Sequence, residues 1–322
     1  MLKEVITSPV ALLDQLNLST DLLPAALRAA ALFPLRVPQS FVSRMQKGDP
    51  FDPLLRQVLP LAEEEIESPG FNEDPLNEKS ANVLPGLLHK YRGRVLITLT
   101  GACAINCRYC FRRHFPYQEN IAGGSAWKNI LAYLADDSTL FEVILSGGDP
   151  LLVNDDYLAK CIDDMATIPH LKILRIHSRL PIVLPQRITP DFLSVLTSTT
   201  LQAIMVVHCN HANELDDSVA AAIELLRGKK ITVLNQSVLL KGVNDSVEAL
   251  LNLSHRLFAF GILPYYLHLL DKVQGAAHFA VSEAKARQLI VSMQASLAGY
   301  LVPKLVKEEA GAKSKLSIAG SV

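Results

Sequence analysis

Three cysteines, Cys103, Cys107 and Cys110, fall within eight residues in the segment GACAINCRYC. Thiols at that density suit metal chemistry in a reducing compartment, and five cysteines in 322 residues are too few, and odd in number, for a disulfide frame. A [4Fe-4S] cluster usually takes four thiolates, so three from one loop leave one iron open to an outside ligand. Arg108, Arg112, Arg113 and His114 surround the triplet. Their guanidinium groups would offset the charge of a thiolate cluster and could also hold a substrate carboxylate. Two rivals stand beside this reading: a zinc site with His114 as a fourth ligand, cramped onto a single loop, and three packed thiols without metal. Cys161, on a helical segment, and Cys209, at a strand end, read as inert packed thiols.

The loop must be positioned by the elements around it, and hydrophobic periodicity shows what these are. From about residue 90 short apolar runs alternate with helix-length amphipathic segments, the pattern of a parallel sheet built from β-α units. Six strands are expected: residues 94–100, 141–147, 173–178, 202–209, 231–240 and 263–270. DDYLAKCIDDMA, DDSVAAAIELLRG and SVEALLNLSHRLFAFG are expected as helices between them, the last two stopping at Gly228 and Gly261. The fold class is therefore α/β, as a partly closed barrel or an open doubly wound sheet. Polar or glycine-rich clusters follow the strands: the cysteine loop, GGDP, HSR, HCNH, NQS and Asp271. Ligands bind at the carboxyl ends of parallel strands, so these clusters should converge on one pocket, with His208, Asn210 and His211 at the end of the fourth strand.

Residues 1–90 read as a helical cover, from LLPAALRAAALF and PQSFVSRMQKG, with Gly48 at a helix end and the turn-rich ESPGFNEDPLNEKS as a surface connection. The expected division is a helical cover (1–90), an α/β unit (91–300) and a C-terminal segment (301–322). Thirty-one basic residues nearly balance thirty-two acidic ones, so no overall field recruits nucleic acid or an anionic membrane. Neither a signal-type apolar segment nor a membrane-length apolar run is present, and the expected address is the cytoplasm.

The x3-x2 cysteine spacing with Tyr109 before the last cysteine resembles the radical S-adenosylmethionine (SAM) signature, and GGDP at 147–150 resembles that family's SAM-binding turn. SGGDPL, SRLPIVLPQRIT, HCNHANE, NQSVLLKGVND and PYYLHLLD together resemble the lysine 2,3-aminomutase branch over most of residues 90–317. Within that branch the short chain and FPLRVPQSFVSRMQKGDPFDPLLRQVLP are similar to the bacterial enzymes that make (R)-β-lysine for modifying translation elongation factor P. The resemblance implies a partial (β/α)6 TIM-type barrel with an N-terminal helical region. It also implies three cofactors, a [4Fe-4S] cluster on Cys103, Cys107 and Cys110, SAM, and pyridoxal 5′-phosphate (PLP), with an electron donor as partner and a functional link to elongation factor P and its lysyl-transferring ligase.

Matched residue by residue, the resemblance places SAM at Gly147, Gly148 and Asp149, and PLP contacts at Tyr91, Arg94 and Gln236. The PLP lysine falls on Lys315, with Lys313 the nearest competitor, in a segment poorer in glycine than the family's. Arg112 matches the partner of the substrate carboxylate. Asp271 and Glu308 match the two acids that take the ε-ammonium of lysine, Glu308 being one methylene longer than the family's aspartate. The implied reaction moves the amino group of lysine from C2 to C3. Competing readings are an aminomutase for another amino acid, a radical SAM enzyme that has lost PLP, and a non-catalytic iron–sulfur or electron-transfer protein.

Overall fold

The structure, a computed structural model, describes residues 4–318. Strands β1 (Val5–Ile6) and β2 (Val37–Pro38) pair antiparallel in the N-terminal region. The others are β3 (Asn82–Leu84), β4 (Leu87–Tyr91), β5 (Arg94–Thr100), β6 (Glu142–Gly147), β7 (Ile173–Ser178), β8 (Gln202–His208), β9 (Thr232–Val238), β10 (Leu263–His268), β11 (Lys304–Lys307) and β12 (Leu316–Ser317). They make one ten-stranded sheet that runs in sequence order from β3 to β12, parallel from β5 to β11 and antiparallel at both ends. Among the described residues the edge strands β3 and β12 do not pair, so the sheet forms an open cup and not a closed barrel.

All six expected strands are present, shortened by up to three residues at their ends. The four extra ladder members, β3, β4, β11 and β12, are short and extend the sheet at its edges. The helix Asp155–Ala166 coincides with the expected segment, and it buries Leu158, Cys161, Ile162 and Met165 at helical spacing. Side-chain caps start the helices: Asn154, Asp216 and Ser246 accept from Tyr157, Val219 and Ala249 N–H. Gly261 takes the left-handed conformation after the helix Val247–Ala259, with φ +76°. Gly228 does not play that part. It is the last residue of its helix, and the left-handed position falls on Lys230, φ 60°.

Strand alternation decides what faces the cup. On β7, Leu174 and Ile176 are buried in the hydrophobic core, whereas Arg175 and His177 between them line the interior cavity. On β9, Val233 and Asn235 are buried away from the cavity while Leu234, Gln236 and Val238 line it. The N-terminal region shares this core: Phe41, Leu54, Leu55 and Val58 belong to the same cluster as Val95, Ile97 and Val143. A buried carboxylate clamps it to the cysteine loop, since Glu64 accepts from Arg108 (2.6 and 2.7 Å) and Arg113 (2.9 Å). Breaking a buried pair of this kind costs about 3–5 kcal/mol, because the remaining charge is stranded.

Candidate functional site

The cup encloses a cavity of about 520 Å3. Cys103, Cys107, Cys110, Gly147, Gly148 and Asp149 line one end of it, and Tyr91, Arg94, Arg112, Gln236, Asp271, Glu308 and Lys315 line the rest. The topology explains the convergence, because each of these residues lies on or just beyond a strand of one curled sheet.

The cysteine loop leaves β5 and is held by backbone bonds on two sides. Asn106 and Arg108 N–H donate to the Arg36 and Gln57 carbonyls of the N-terminal region (2.8 and 2.9 Å). Gly148 and Asp149 N–H, from the turn after β6, donate to the Thr100 and Ala102 carbonyls (3.0 and 2.8 Å). That approach requires glycine: a Cβ on Gly148 would sit 2.3 Å from the Ala102 oxygen, and one on Gly147, at φ +114°, 2.5 Å from Thr98 Cγ2. Asp149 fixes the same turn from within. Its carboxylate accepts from Ser178 Oγ (2.7 Å) and from the N–H groups of Leu151, Arg179 and Leu180 (3.1, 2.8 and 3.2 Å). Burial raises its carboxyl to about 6 against the pull of those bonds.

The three loop cysteines are free thiols. Burial, followed by the charge of neighbouring cysteines, pushes Cys110 up to about 11 and Cys103 well up. Their surroundings bear on the sequence reading in two ways. Arg108 and Arg113 are absorbed by Glu64 and the Phe33 ring and do not line the cavity, leaving Arg112 as the loop guanidinium that does. His114 is exposed, with Nε2 3.4 Å from the Gln274 carbonyl, and is not placed to complete a zinc site. Among the described residues no three His, Cys, Asp or Glu side chains gather around a point where a single metal ion could sit. Cys161 and Cys209 are fully buried away from the cavity.

At the far end Lys315 projects from the β11–β12 hairpin. It forms an ion pair with Glu308, and Nζ lies 5.8 Å from the centre of the Tyr266 ring. Lys307 pairs with Leu316 across the ladder, so Glu308 and Lys315 face each other at the hairpin base. The single Gly311, φ +78°, is the left-handed residue in the connection. Lys313 is exposed and outside the cavity. Burial lowers Lys315 to about 7; Asp271 opposes the shift, and Lys90, Arg175 and Arg112 add to it. Burial in turn raises Asp271 to about 6, against the charges of Lys315 and Lys90.

Arg112 is gripped in bidentate fashion by Glu78, with Nε–Oε2 2.6 Å and Nη2–Oε1 2.9 Å. Burial alone would raise Glu78, but Arg112 and Lys90 hold it at about 2. Lys90, on β4, bonds Glu78 at 2.9 Å and lies 3.9 Å from Glu308 across the open side of the cup. Arg94 stacks on Tyr91 at 4.9 Å and, among the described residues, pairs with no carboxylate. His208 Nε2 lies 2.9 Å from Gln236 Nε2, and burial, followed by the Arg179 and Arg112 charges, drives its pKa down to about 3. His177 and His268 are likewise kept neutral by burial, and neither Nε2 has a partner, nor has Arg175 Nε.

A family described as a 4Fe-4S single cluster domain matches residues 92–174. The L-lysine 2,3-aminomutase of Haemophilus influenzae is 52% identical over 315 residues, 98% of this chain and 93% of that protein. The chain belongs to the L-lysine 2,3-aminomutase family. It is accordingly an isomerase-family enzyme of the radical SAM class. The Clostridium subterminale L-lysine 2,3-aminomutase is 36% identical over 279 residues, 86% of this chain and 67% of its own length. Among solved structures, a radical SAM methyltransferase from Sphaerobacter thermophilus has a TM-score of 0.48 at 17% identity, covering 69% of this chain and 68% of that one.

The donor set fits the cluster that aminomutases of this class would carry. Three free thiols from one loop face one cavity, beside a glycine turn too tight for any Cβ. Several lining residues were not singled out in the sequence. Arg175 could have been, since it is the polar alternate two residues before His177 of the HSR cluster. Glu78 and Lys90 carry no such signal, lying in a turn-rich stretch and on the short strand β4. Of the polar cluster after β8, His208 and Asn210 line the cavity, whereas His211 caps the turn that follows, its Nδ1 accepting from Asn213 N–H.

Proposed function

We propose that this chain is a PLP-dependent lysine 2,3-aminomutase converting (S)-α-lysine to (R)-β-lysine, which a ligase then attaches to translation elongation factor P. The observation that carries this reading is the pairing, in one cavity, of the cysteine triplet with a buried lysine flanked by two carboxylates. The elongation factor link rests on the N-terminal stretch that resembles enzymes of that pathway. Cytoplasmic location follows as part of the proposal.

The residues fit PLP. Arg94 offers an uncompensated guanidinium for a phosphate, with Tyr91 and Gln236 as further contacts, and the unpartnered His177 and His268 nitrogens leave polar capacity for a guest. Lys315 supplies an amine that is half neutral near pH 7, and the β11–β12 hairpin keeps it in the cavity despite the scarcity of glycine. Arg112, oriented by Glu78, faces the cavity to receive the α-carboxylate. When Lys315 gives up its proton, Glu308 loses its cationic partner and, with Asp271, can take the ε-ammonium of the substrate. The cluster with SAM supplies hydrogen-atom abstraction, and PLP supplies an unsaturated system across which nitrogen can migrate. The cup excludes water and quenchers and holds the reacting carbon within reach.

Covalent attachment of PLP should rise with pH through about 7, because Lys315 is protonated and ion-paired below that value and a free nucleophile above it. The unfolded chain holds this proton up to the ordinary lysine range, so between these limits the unfolded state binds more protons and the residue's contribution to stability grows with pH. Borohydride trapping followed across pH 5.5–9 measures the midpoint; a value near 10 would contradict a buried, lowered amine. The activity itself is tested anaerobically on reconstituted protein given SAM, a reductant and isotopically labelled α-lysine. The expected product is labelled (R)-β-lysine, transferable to elongation factor P when the ligase is added. Reconstituted enzyme that makes no β-lysine would overturn the substrate assignment.

A further inference from the structure

Arg179 follows β7, seventy-two residues beyond the cysteine loop, yet its guanidinium reaches the loop. Nη1 lies 2.7 Å from Cys107 Sγ, within donating distance of the sulfur. Nη2 donates to Gln57 Oε1 (2.6 Å) and to Glu214 Oε2 (3.0 Å). The rings of Phe41 and Tyr109 lie over it at 5.3 and 5.7 Å. Glu214 is fully buried, and its second oxygen accepts from the N–H groups of Asn210 and His211 (2.8 and 3.0 Å) and from Gln57 Nε2 (3.1 Å). A buried carboxylate with all its bonds satisfied thus fixes one side of the guanidinium, and the other side is turned to a cysteine. Three arginines of the loop are held by carboxylates, Arg108 and Arg113 by Glu64 and Arg112 by Glu78.

We infer that Arg179 is a positioning residue that sets the reduction potential of the iron–sulfur cluster through its bond to the Cys107 sulfur, and that Glu214 limits how much of its positive charge the cluster feels. The inference rests on the reading of Cys103, Cys107 and Cys110 as cluster ligands. Its physics is the ordinary tuning of such centres. A donor to a ligand sulfur, or a net positive charge beside it, stabilises the reduced, more negative cluster and raises the potential. Arg179 with Glu214 is nearly neutral as a pair, so the two residues should pull in opposite directions. The poise matters because the electron must still pass onward to SAM, and too high a potential would remove the driving force.

The test uses cluster-loaded protein without SAM or lysine, titrated potentiometrically under anaerobic conditions and followed by the electron paramagnetic resonance signal of the reduced cluster. Glu214→Gln, nearly isosteric, leaves the guanidinium uncompensated and should shift the potential upward. Arg179→Met leaves a buried carboxylate near the cluster and should shift it downward; the double variant should return towards the wild-type value. Either single variant that loads iron decides the sign, so misfolding of one does not end the test. Potentials unchanged in the loaded variants, or moved in the same direction by both, overturn the inference. Variants that fold but take up no iron overturn it as well, since the pair would then serve assembly of the loop and not its potential. Wild-type protein that takes up no cluster would instead sink the cluster reading on which this one stands.

Discussion

Cys107→Ala protein, purified and reconstituted without air, is expected to lack the iron–sulfur absorption and to form β-lysine at least about a thousandfold more slowly than wild type, a barrier increase of roughly 4 kcal/mol or more. The three thiols share one loop and one cavity, and no other cysteine can stand in, because Cys161 and Cys209 are locked in the core. Two thiolates would leave two irons open, and the cluster would be lost or rearranged. Cys161→Ala is the matched control. It removes a buried sulfur from the helix Asp155–Ala166 at a cost of about 1 kcal/mol, with chromophore and turnover kept. Iron and sulfide analysis with optical spectra separates the two outcomes, and a Cys107→Ala protein with full cluster and activity would refute the assignment of the triplet.

Lys315→Ala should lose comparable activity by a different route. Its cluster should remain intact, but borohydride treatment should leave no PLP on the protein, and turnover should fall by about three orders of magnitude or more. Lys313→Ala should stay within about twofold of wild type, since that side chain is exposed and outside the cavity, where substitutions change little. Mass mapping of the reduced adduct is the deciding measurement. An adduct on Lys313, or one that survives in the Lys315→Ala protein, would show that the hairpin presents a different amine from the one facing Glu308.

What could be read in advance followed from how local each signal is. Strands β5 to β10 announce themselves as apolar runs, and the chemical residues stand just past their ends, so the cavity was legible as a convergence before any coordinates. The helix ends were less so. Gly228 has the composition of a helix stop, but the chain runs two residues further before Lys230 takes the left-handed conformation. Strands β3, β4, β11 and β12, towards the two ends of the sheet, are too short to show a period, and their presence is fixed by pairing with the strand next to them. Asp149 lies in the turn after β6, while its bonds to Ser178 Oγ and to the N–H groups of Arg179 and Leu180 depend on β7, about thirty residues away. Gln57, Arg179 and Glu214 each lie in a stretch the sequence singles out, but the network that joins them draws on three distant segments and is set only by the fold.

The unpaired edges of the cup have one more consequence. A closed barrel is riveted shut by a ladder of backbone bonds that solvent ions scarcely weaken. Here the two flanks meet through charged side chains, Lys90 of β4 reaching towards Glu308 just beyond β11 at 3.9 Å, assisted by the bridge between Asn72 and Val273. Such a fastening differs from a ladder: both side chains are mostly buried, so dissolved salt reaches them little, but an amino acid entering the cavity, itself carrying both signs of charge, can substitute for either partner. Joined by one ion pair and one isolated bridge where neighbouring strands elsewhere share full ladders, this seam is the least tightly closed boundary of the cup.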